Sequence, residues 1–513
     1  MLWFLFCVGL LVAGYFLYGG LIEKIFKINP QRLTPAHSMS DGIDYVPMSK
    51  KKIWLIQLLN IAGTGPIFGP ILGALYGPVA MLWIVFGCIF AGAVHDYFCG
   101  MLSIRNKGAN IPYLTGKYIG QPAKHFMNVF AIVLLLLVGV VFVASPANLL
   151  SSITSELLGA GSLSSNAVNE EVTSGSATIL VTWTAIIFIY YIIATLLPID
   201  KIIGRIYPLF GALLLFMTFG MFFGFILNDI SFFRTLFPDV GFWGLEVGIT
   251  DFFKNMNTSN LPIWPMLFIT IACGAISGFH ATQTPLMARC AKNESEARFI
   301  FYGAMIAEGV IALIWCMVGL SFYESPEAIN EAINVGTPAK VVYDSAIGML
   351  GLFGGILAVL GVVVLPITSG DTAFRAARLL IADFFKLEQR SFSKRLMIAI
   401  PLFVLGFIIS RVDFQVLWRY FGWANQTTAM IMMWTAAAYL YRYQKFHWVC
   451  TLPAMFMTMV CTTYIAYAPI GLHLSYDVAV WVAFAITVIV TFAFFKFLKP
   501  LDKEQEAELE NAK

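Results

Sequence analysis

Side chains that can carry a proton, an ion or a ligand are scarce in this sequence, and several stand inside long apolar runs. Asp96, in AGAVHDYFCG, lies too deep for an ordinary loop residue; it is placed to pair with Arg105 or to face a polar lumen. Ionisable groups in such positions point to function by default, here a proton or cation. His95 and Cys99 share a helical face at i and i+4, the start of a soft-metal site, but no third ligand accompanies them and no metal is expected. His280 can donate to an anion, titrate near neutral pH, or simply pack. Glu308 is a lone acid, either proton-coupling or neutral and hydrogen-bonded. In VVVLPITSGDTAFRAARL, Thr368, Ser369 and Asp371 collect oxygens that suit a hard cation or, at Asp371, a proton. The plainer role of Asp371 is an i,i+4 pair with Arg375. Asn425, Gln426 and Thr427, in WANQTTAM, read as interhelical hydrogen-bonding groups.

Two uncharged segments raise a different chemistry, that of bare backbone. NIAGTGPIFGPILG, residues 60–73, packs four glycines and two prolines into an apolar run long enough to cross a bilayer. CGAISGFHATQTP, residues 273–285, interrupts another apolar run farther along with two glycines and one proline. A helix broken in hydrocarbon exposes carbonyls from one half and N–H groups from the other, so the break must face protein or a wet cavity. The N-terminal end of the second half favours a carboxylate, and free carbonyls favour a cation. Pro66 suits the start of a half-helix, where its missing N–H is harmless; Pro285, with Thr284 as its cap, is expected to start the other. The carboxylate subsite is therefore expected at Gly63, Thr64, Gly65 and Pro66, helped by Ser277, Gly278, Phe279, His280, Thr282 and Gln283.

The elements that must position these groups are transmembrane helices. Of 513 residues, 59% are hydrophobic and only 12% charged, about half the charge of a soluble domain. Thirteen spans are expected: 2–22, 53–76, 79–103, 125–145, 177–197, 206–228, 262–284, 298–322, 345–368, 397–411, 416–441, 447–468 and 475–498. With the N-terminus outside, 27 of the 32 Lys and Arg fall in cytosolic segments, which sets the orientation as N-out and C-in. Spans two to six and seven to eleven form two groups of five. An odd group size inverts the second copy, and each copy opens with an interrupted span, the pattern of an inverted-repeat carrier.

The organisation is thus a first span and linker (1–52), one repeat (53–228), an external interfacial connection (229–261), a second repeat (262–441), two added spans (442–498) and a cytosolic tail (499–513). The external segment 146–176 contains NLLSSITSELLGA, expected to cap the outer mouth. The eight cysteines form neither a disulfide framework nor a zinc ribbon. No hydrolase motif and no basic, aromatic-interleaved patch for nucleic acid is present. The expectation is an all-α polytopic transporter without cofactor, its partners a small anionic substrate and the bilayer. An intramembrane metal or redox enzyme and a nutrient sensor are the rival classes.

DGIDYVP, IAGTGPIFGPILGALYG, HDYFCGMLSIRNKG, SGFHATQTP, SGDTAFRAARL and WANQTTAM together resemble the carbon starvation protein A family of bacterial inner-membrane carriers. The resemblance implies uptake of pyruvate or small peptides during carbon starvation, with proton more than sodium coupling. It also implies the fold of the amino acid–polyamine–organocation carriers. In those, two broken helices hold substrate, and a hydroxyl pair joins carbonyls of the first break at a cation site. By position that site is the Ala62–Gly65 backbone with Thr368 and Ser369.

Overall fold

Each expected span falls on a helix or helix pair in the computed structural model, which describes residues 1–42, 45–157, 174–196, 199–387 and 392–501. The first is α1 (Leu2–Phe26). Span two is the pair α2 (Lys50–Ile61) and α3 (Gly65–Ala74), bent by 50° at the break. The first copy continues through α4 (Val79–Arg105), the short α5 (Ile111–Tyr118), α6 (Gln121–Leu157), α7 (Ser174–Leu196) and α8 (Ile199–Leu227). The second copy opens with the pair α9 (Ile263–Thr270) and α10 (Gly278–Ala288), followed by α11 (Glu294–Ser321). Next come α12 (Pro326–Phe384), α13 (Phe392–Ile409) and α14 (Phe414–Arg442). The added spans are α15 (Trp448–Tyr467) and α16 (Tyr476–Phe497). This is an all-α membrane protein built on a five-plus-five inverted repeat with extra helices.

Three boundaries differ from expectation. The outer segment after span four does not form a separate cap: α6 runs on through Pro146 to Leu157, and residues 158–173 lie outside the described residues. α12 is interrupted at Gly336–Thr337 and at Gly351, where φ is +68°. The spanning piece is therefore 352–384, later and longer than 345–368. It carries Thr368 to Asp371 in mid-helix, and it buries Arg375 and Arg378, which the sequence had assigned to a loop. Of the tail, 502–513 lies outside the described residues, and Leu501 is held by its N–H on the Arg442 carbonyl.

Burial separates scaffold from periphery. The most apolar windows of α4 and α11 are 78% and 83% buried, those of α1 and α16 only 28% and 22%. The two inner helices also share a local distortion: each begins with or contains one π turn, Cys88–Gly92 in α4 and Arg298–Tyr302 in α11. A π turn leaves backbone groups out of register. Here Tyr302 Oη donates to the Ile89 carbonyl at 3.0 Å, so one π turn satisfies the other. The aromatic connection 229–261 packs on the outer end of α1, where Trp3 Nε1 donates to the Val247 carbonyl and the Trp3 ring meets Phe252.

At the opposite end, Glu294 holds Arg105 through two hydrogen bonds of 3.0 and 2.9 Å and also accepts from the Asn29 N–H. Arg105 lies over the Phe26 ring and donates to Tyr439 Oη. One buried pair thus joins the linker after α1, the end of α4, the start of α11 and α14. Removing one partner of such a pair costs about 3–5 kcal/mol, because the other charge stays buried. Glu294→Ala should lower the melting temperature in detergent clearly below that of wild type; an unchanged thermal unfolding curve would contradict this role.

Candidate functional site

The first break follows from one displaced hydrogen bond. In a continuous helix the Gly63 N–H would bond the Leu59 carbonyl. Instead Gly63 N–H turns to Ile61 O at 2.9 Å, while Ala62 N–H still reaches Leu58 O. Leu59 is thus the first carbonyl deprived of its partner. Ser369 Oγ supplies the replacement, donating to Leu59 O at 3.2 Å, while Thr368 Oγ1 lies 3.3 Å from the same oxygen and has a closer acceptor in its own helix, Leu365 O at 2.8 Å. The hydroxyl pair does meet the first break, but at Leu59 rather than at the Ala62–Gly65 backbone. Asp371 takes its plainer role, 3.5 Å from Arg375 Nη2.

α3 then restarts at Gly65, with Pro66 second. The Ile67 and Phe68 N–H groups turn to the Thr64 carbonyl and Pro66 has no N–H, so the Gly65 N–H is the one at this end without an intrahelical acceptor. Thr64, immediately before it, is wholly buried, and its hydroxyl has no partner among the described residues.

The second break is longer. α9 ends at Thr270, Gly274 adopts φ +85°, and α10 begins at Gly278 after an extended Ser277. Pro285 does not start the second half; it lies inside α10. The cap is supplied from another helix: Asn425 Oδ1, on α14, accepts from the Phe279 N–H at 2.7 Å and from Ser277 Oγ at 3.2 Å. Trp83 Nε1 donates to the Ile271 carbonyl and Gln426 Nε2 to the Phe268 carbonyl. Thr282 Oγ1 bonds back to the Phe279 carbonyl and Gln283 Nε2 bonds Thr282, so these two face their own helix.

The two breaks touch. A Cβ placed on Gly65 would overlap the Cys273 side chain, and one on Gly274 would come within 3.9 Å of Pro66 Cα. Phe142, from α6, closes the remaining side: it sits against Gly63 and packs edge-on to Phe279 with ring centroids 5.6 Å apart. Tyr191 Oη bridges the Phe142 and Pro366 carbonyls at 2.9 and 2.7 Å.

Beside this junction lies a buried charged cluster that only partly matches expectation. Asp96 does not pair with Arg105, which Glu294 holds. Its Oδ1 lies 2.8 Å from His95 Nδ1 and its Oδ2 lies 2.9 Å from His280 Nδ1. On the other side of the ring, His280 Nε2 is 3.3 Å from Glu308 Oε2. Glu308 is therefore not alone, and its Oε1 accepts the Gly274 N–H at 3.1 Å. Of the suggested His95–Cys99 pair, His95 Nδ1 is engaged by Asp96 with Nε2 buried and without a partner among the described residues, and Cys99 Sγ points to the Ala281 carbonyl. The ligand atoms of Cys273, His280 and Glu308 do fall within 4.8 Å of one another. Asn425 and Glu308 are the functional positions that sequence reasoning undervalued. Asn425 was recognised as polar in a span, and nothing in its spacing pointed to a break 146 residues away.

The family profile described as "Carbon starvation protein CstA" matches residues 1–164 and 153–347. The chain belongs to this family. An uncharacterized membrane protein of Haemophilus influenzae is 64% identical over 356 residues, covering 66% of this chain and 95% of that protein. The peptide transporter CstA of Escherichia coli is 26% identical, covering 88% of this chain and 78% of that protein. The pyruvate/proton symporter BtsT of the same organism is 29% identical over 60% of this chain and 47% of its own length. Among solved structures, MhsT in complex with L-phenylalanine aligns with a TM-score of 0.55 at 11% identity, covering 86% of this chain and 99% of that one. The chain is accordingly a multi-pass membrane transporter and not an enzyme.

The contact between breaks is testable without a substrate. Gly65→Ala should lower stability by about 1–3 kcal/mol, the range for overpacking, and Cys273→Ala in the same chain should restore part of it. Denaturation in detergent measures both; additive effects of the two changes would mean that the breaks do not bear on each other.

Proposed function

We propose that this protein imports a small carboxylate of pyruvate size by alternating access, driven by protons. The observation that carries the reading is Thr64: a wholly buried hydroxyl without a partner among the described residues, at the start of a broken half-helix. A helix N-terminus carries roughly half a positive charge. A carboxylate seated there would accept from Thr64 Oγ1 and from the Gly65 N–H, with Gly63 and Pro66 forming the floor. Ser277, Gly278, Phe279 and His280 would form the opposite wall. Movement of Phe142 and Phe279 would open it.

Close packing favours a small substrate. Glycine stands at 63, 65 and 274, and a Cβ at 63 or 65 would overlap Phe142 or Cys273. Proton coupling agrees with the name of the pyruvate/proton symporter relative. Sodium would need the Thr368 and Ser369 hydroxyls, which are engaged with Leu59. The second reading is a short peptide, favoured by the peptide transporters that match over most of this chain. Induction under carbon limitation and an inner-membrane, N-out and C-in placement complete the proposal.

Proteoliposomes should accumulate labelled pyruvate when the outside is acidic and not under a sodium gradient alone. Thr64→Val should raise KM for uptake at least about tenfold, since a buried hydrogen bond to a charged group is worth about 1.5–3 kcal/mol. Accumulation of di- or tripeptides in place of pyruvate would select the second reading. If neither substrate accumulates under either gradient, the import proposal fails.

A further inference from the structure

We infer that Asp96, His280 and Glu308 form the binding site of the coupling proton, with His280 as the shared member. The assignment rests on the proton-coupled reading above and adds where the proton sits and how it senses the break.

Proton counting leads to it. A neutral imidazole has one N–H and one lone pair. His280 Nδ1 is hydrogen-bonded to Asp96 Oδ2 at 2.9 Å. Its Nε2 lies 3.3 Å from Glu308 Oε2 without hydrogen-bond alignment, and these two atoms are buried and otherwise without a partner among the described residues. With both acids ionised and the ring neutral, one lone pair would point at a carboxylate oxygen in a low-dielectric interior, where an unmet polar contact is costly. One more proton, on the ring or on either acid, removes that conflict. The two unmatched atoms, His280 Nε2 and Glu308 Oε2, are where one exchangeable proton would be held. His95 contacts Asp96 Oδ1 through Nδ1, and its Nε2 faces no carboxylate.

The surroundings leave that proton to these groups. α4 presents Asp96, His95 and Cys99 to this region; α11 presents Glu308, with Cys88 hydrogen-bonded nearby to the Met305 carbonyl. The break presents Cys273, while α14 presents the neutral Asn425 and α2 reaches α10 through the neutral Gln57. Neither acid pairs with a Lys or Arg among the described residues.

The wiring to substrate is direct. Glu308 Oε1 is bonded to the Gly274 N–H inside the unwound turn, and His280 stands in the first turn of α10. Gly274 in turn lies against Pro66, at the proposed carboxylate subsite. Rearrangement of the break moves His280 and Gly274 relative to Asp96 and Glu308. It therefore exposes the cluster and lets one proton pass to water, breaking one N–H or O–H bond and forming another. The two acids lie on the inner helices of the two copies, each within a few turns of that helix's π turn. His280 bridges the copies.

Two measurements test this. In Glu308→Gln, labelled pyruvate should still exchange, more slowly, in counterflow, while accumulation driven by a proton gradient falls at least about tenfold. Accumulation and pH profile equal to wild type would overturn the assignment. Independently of substrate, reconstituted protein with ¹⁵N-labelled histidine should show one imidazole signal, absent in His280→Gln, that changes with pH. Its midpoint should move by at least one pH unit in Glu308→Gln and in Asp96→Asn. An unmoved midpoint in both would overturn the proton site, as would one equivalent of zinc in purified wild type that Glu308→Gln loses. Wild type that accumulates no carboxylate would defeat the transport reading alone, because the histidine signal still decides the proton site.

Discussion

A backbone carbonyl or N–H left bare in a bilayer must find a partner inside the protein, and this demand organises the centre of the molecule. The breaks at residues 62–64 and 271–277 release such groups, and three neighbouring helices answer them: α12 at Leu59, α4 at Ile271 and α14 at Phe268 and Phe279. These partners come from helices that are distant in sequence. The broken spans are thus held by the rest of the transporter rather than by their own local structure, so a change at a break is felt by the surrounding helices.

The inverted repeat explains why the polar groups converge. Each copy brings one broken span and one inner helix with a π turn to the pseudo-twofold axis. The π turns meet through Tyr302 and Ile89, and the acids that follow them meet through His280. A single imidazole between two carboxylates can report on both halves at once, which is what coupling between an ion and a conformational change requires. The Arg105–Glu294 pair does separate work, binding the ends of α4 and α11 to the linker and α14.

Membership of the carbon starvation family and the likeness to solved carriers of the same fold fit this arrangement. Phe142, Phe279 and Cys273 fill the space between the two breaks.

Composition and periodicity determined the class of this protein, the approximate place of most spans, the inverted repeat and the two breaks. Apolar runs and Gly–Pro interruptions are local signals with a direct physical cost in a membrane. Family resemblance, and not these signals, brought the hydroxyl pair of Thr368 and Ser369 to the first break, one turn away from the Leu59 carbonyl near which they lie. Tertiary structure alone decided which groups answer one another. Asp96 seemed matched to Arg105 because the two are near in sequence, yet Glu294 holds the arginine and two histidines hold the aspartate. Pro285 looked like a helix start, yet Asn425 caps α10 seven residues earlier, at Gly278. Burial pairs charges and bare backbone by distance in space, and chain spacing carries no record of that distance once the partners lie on different helices.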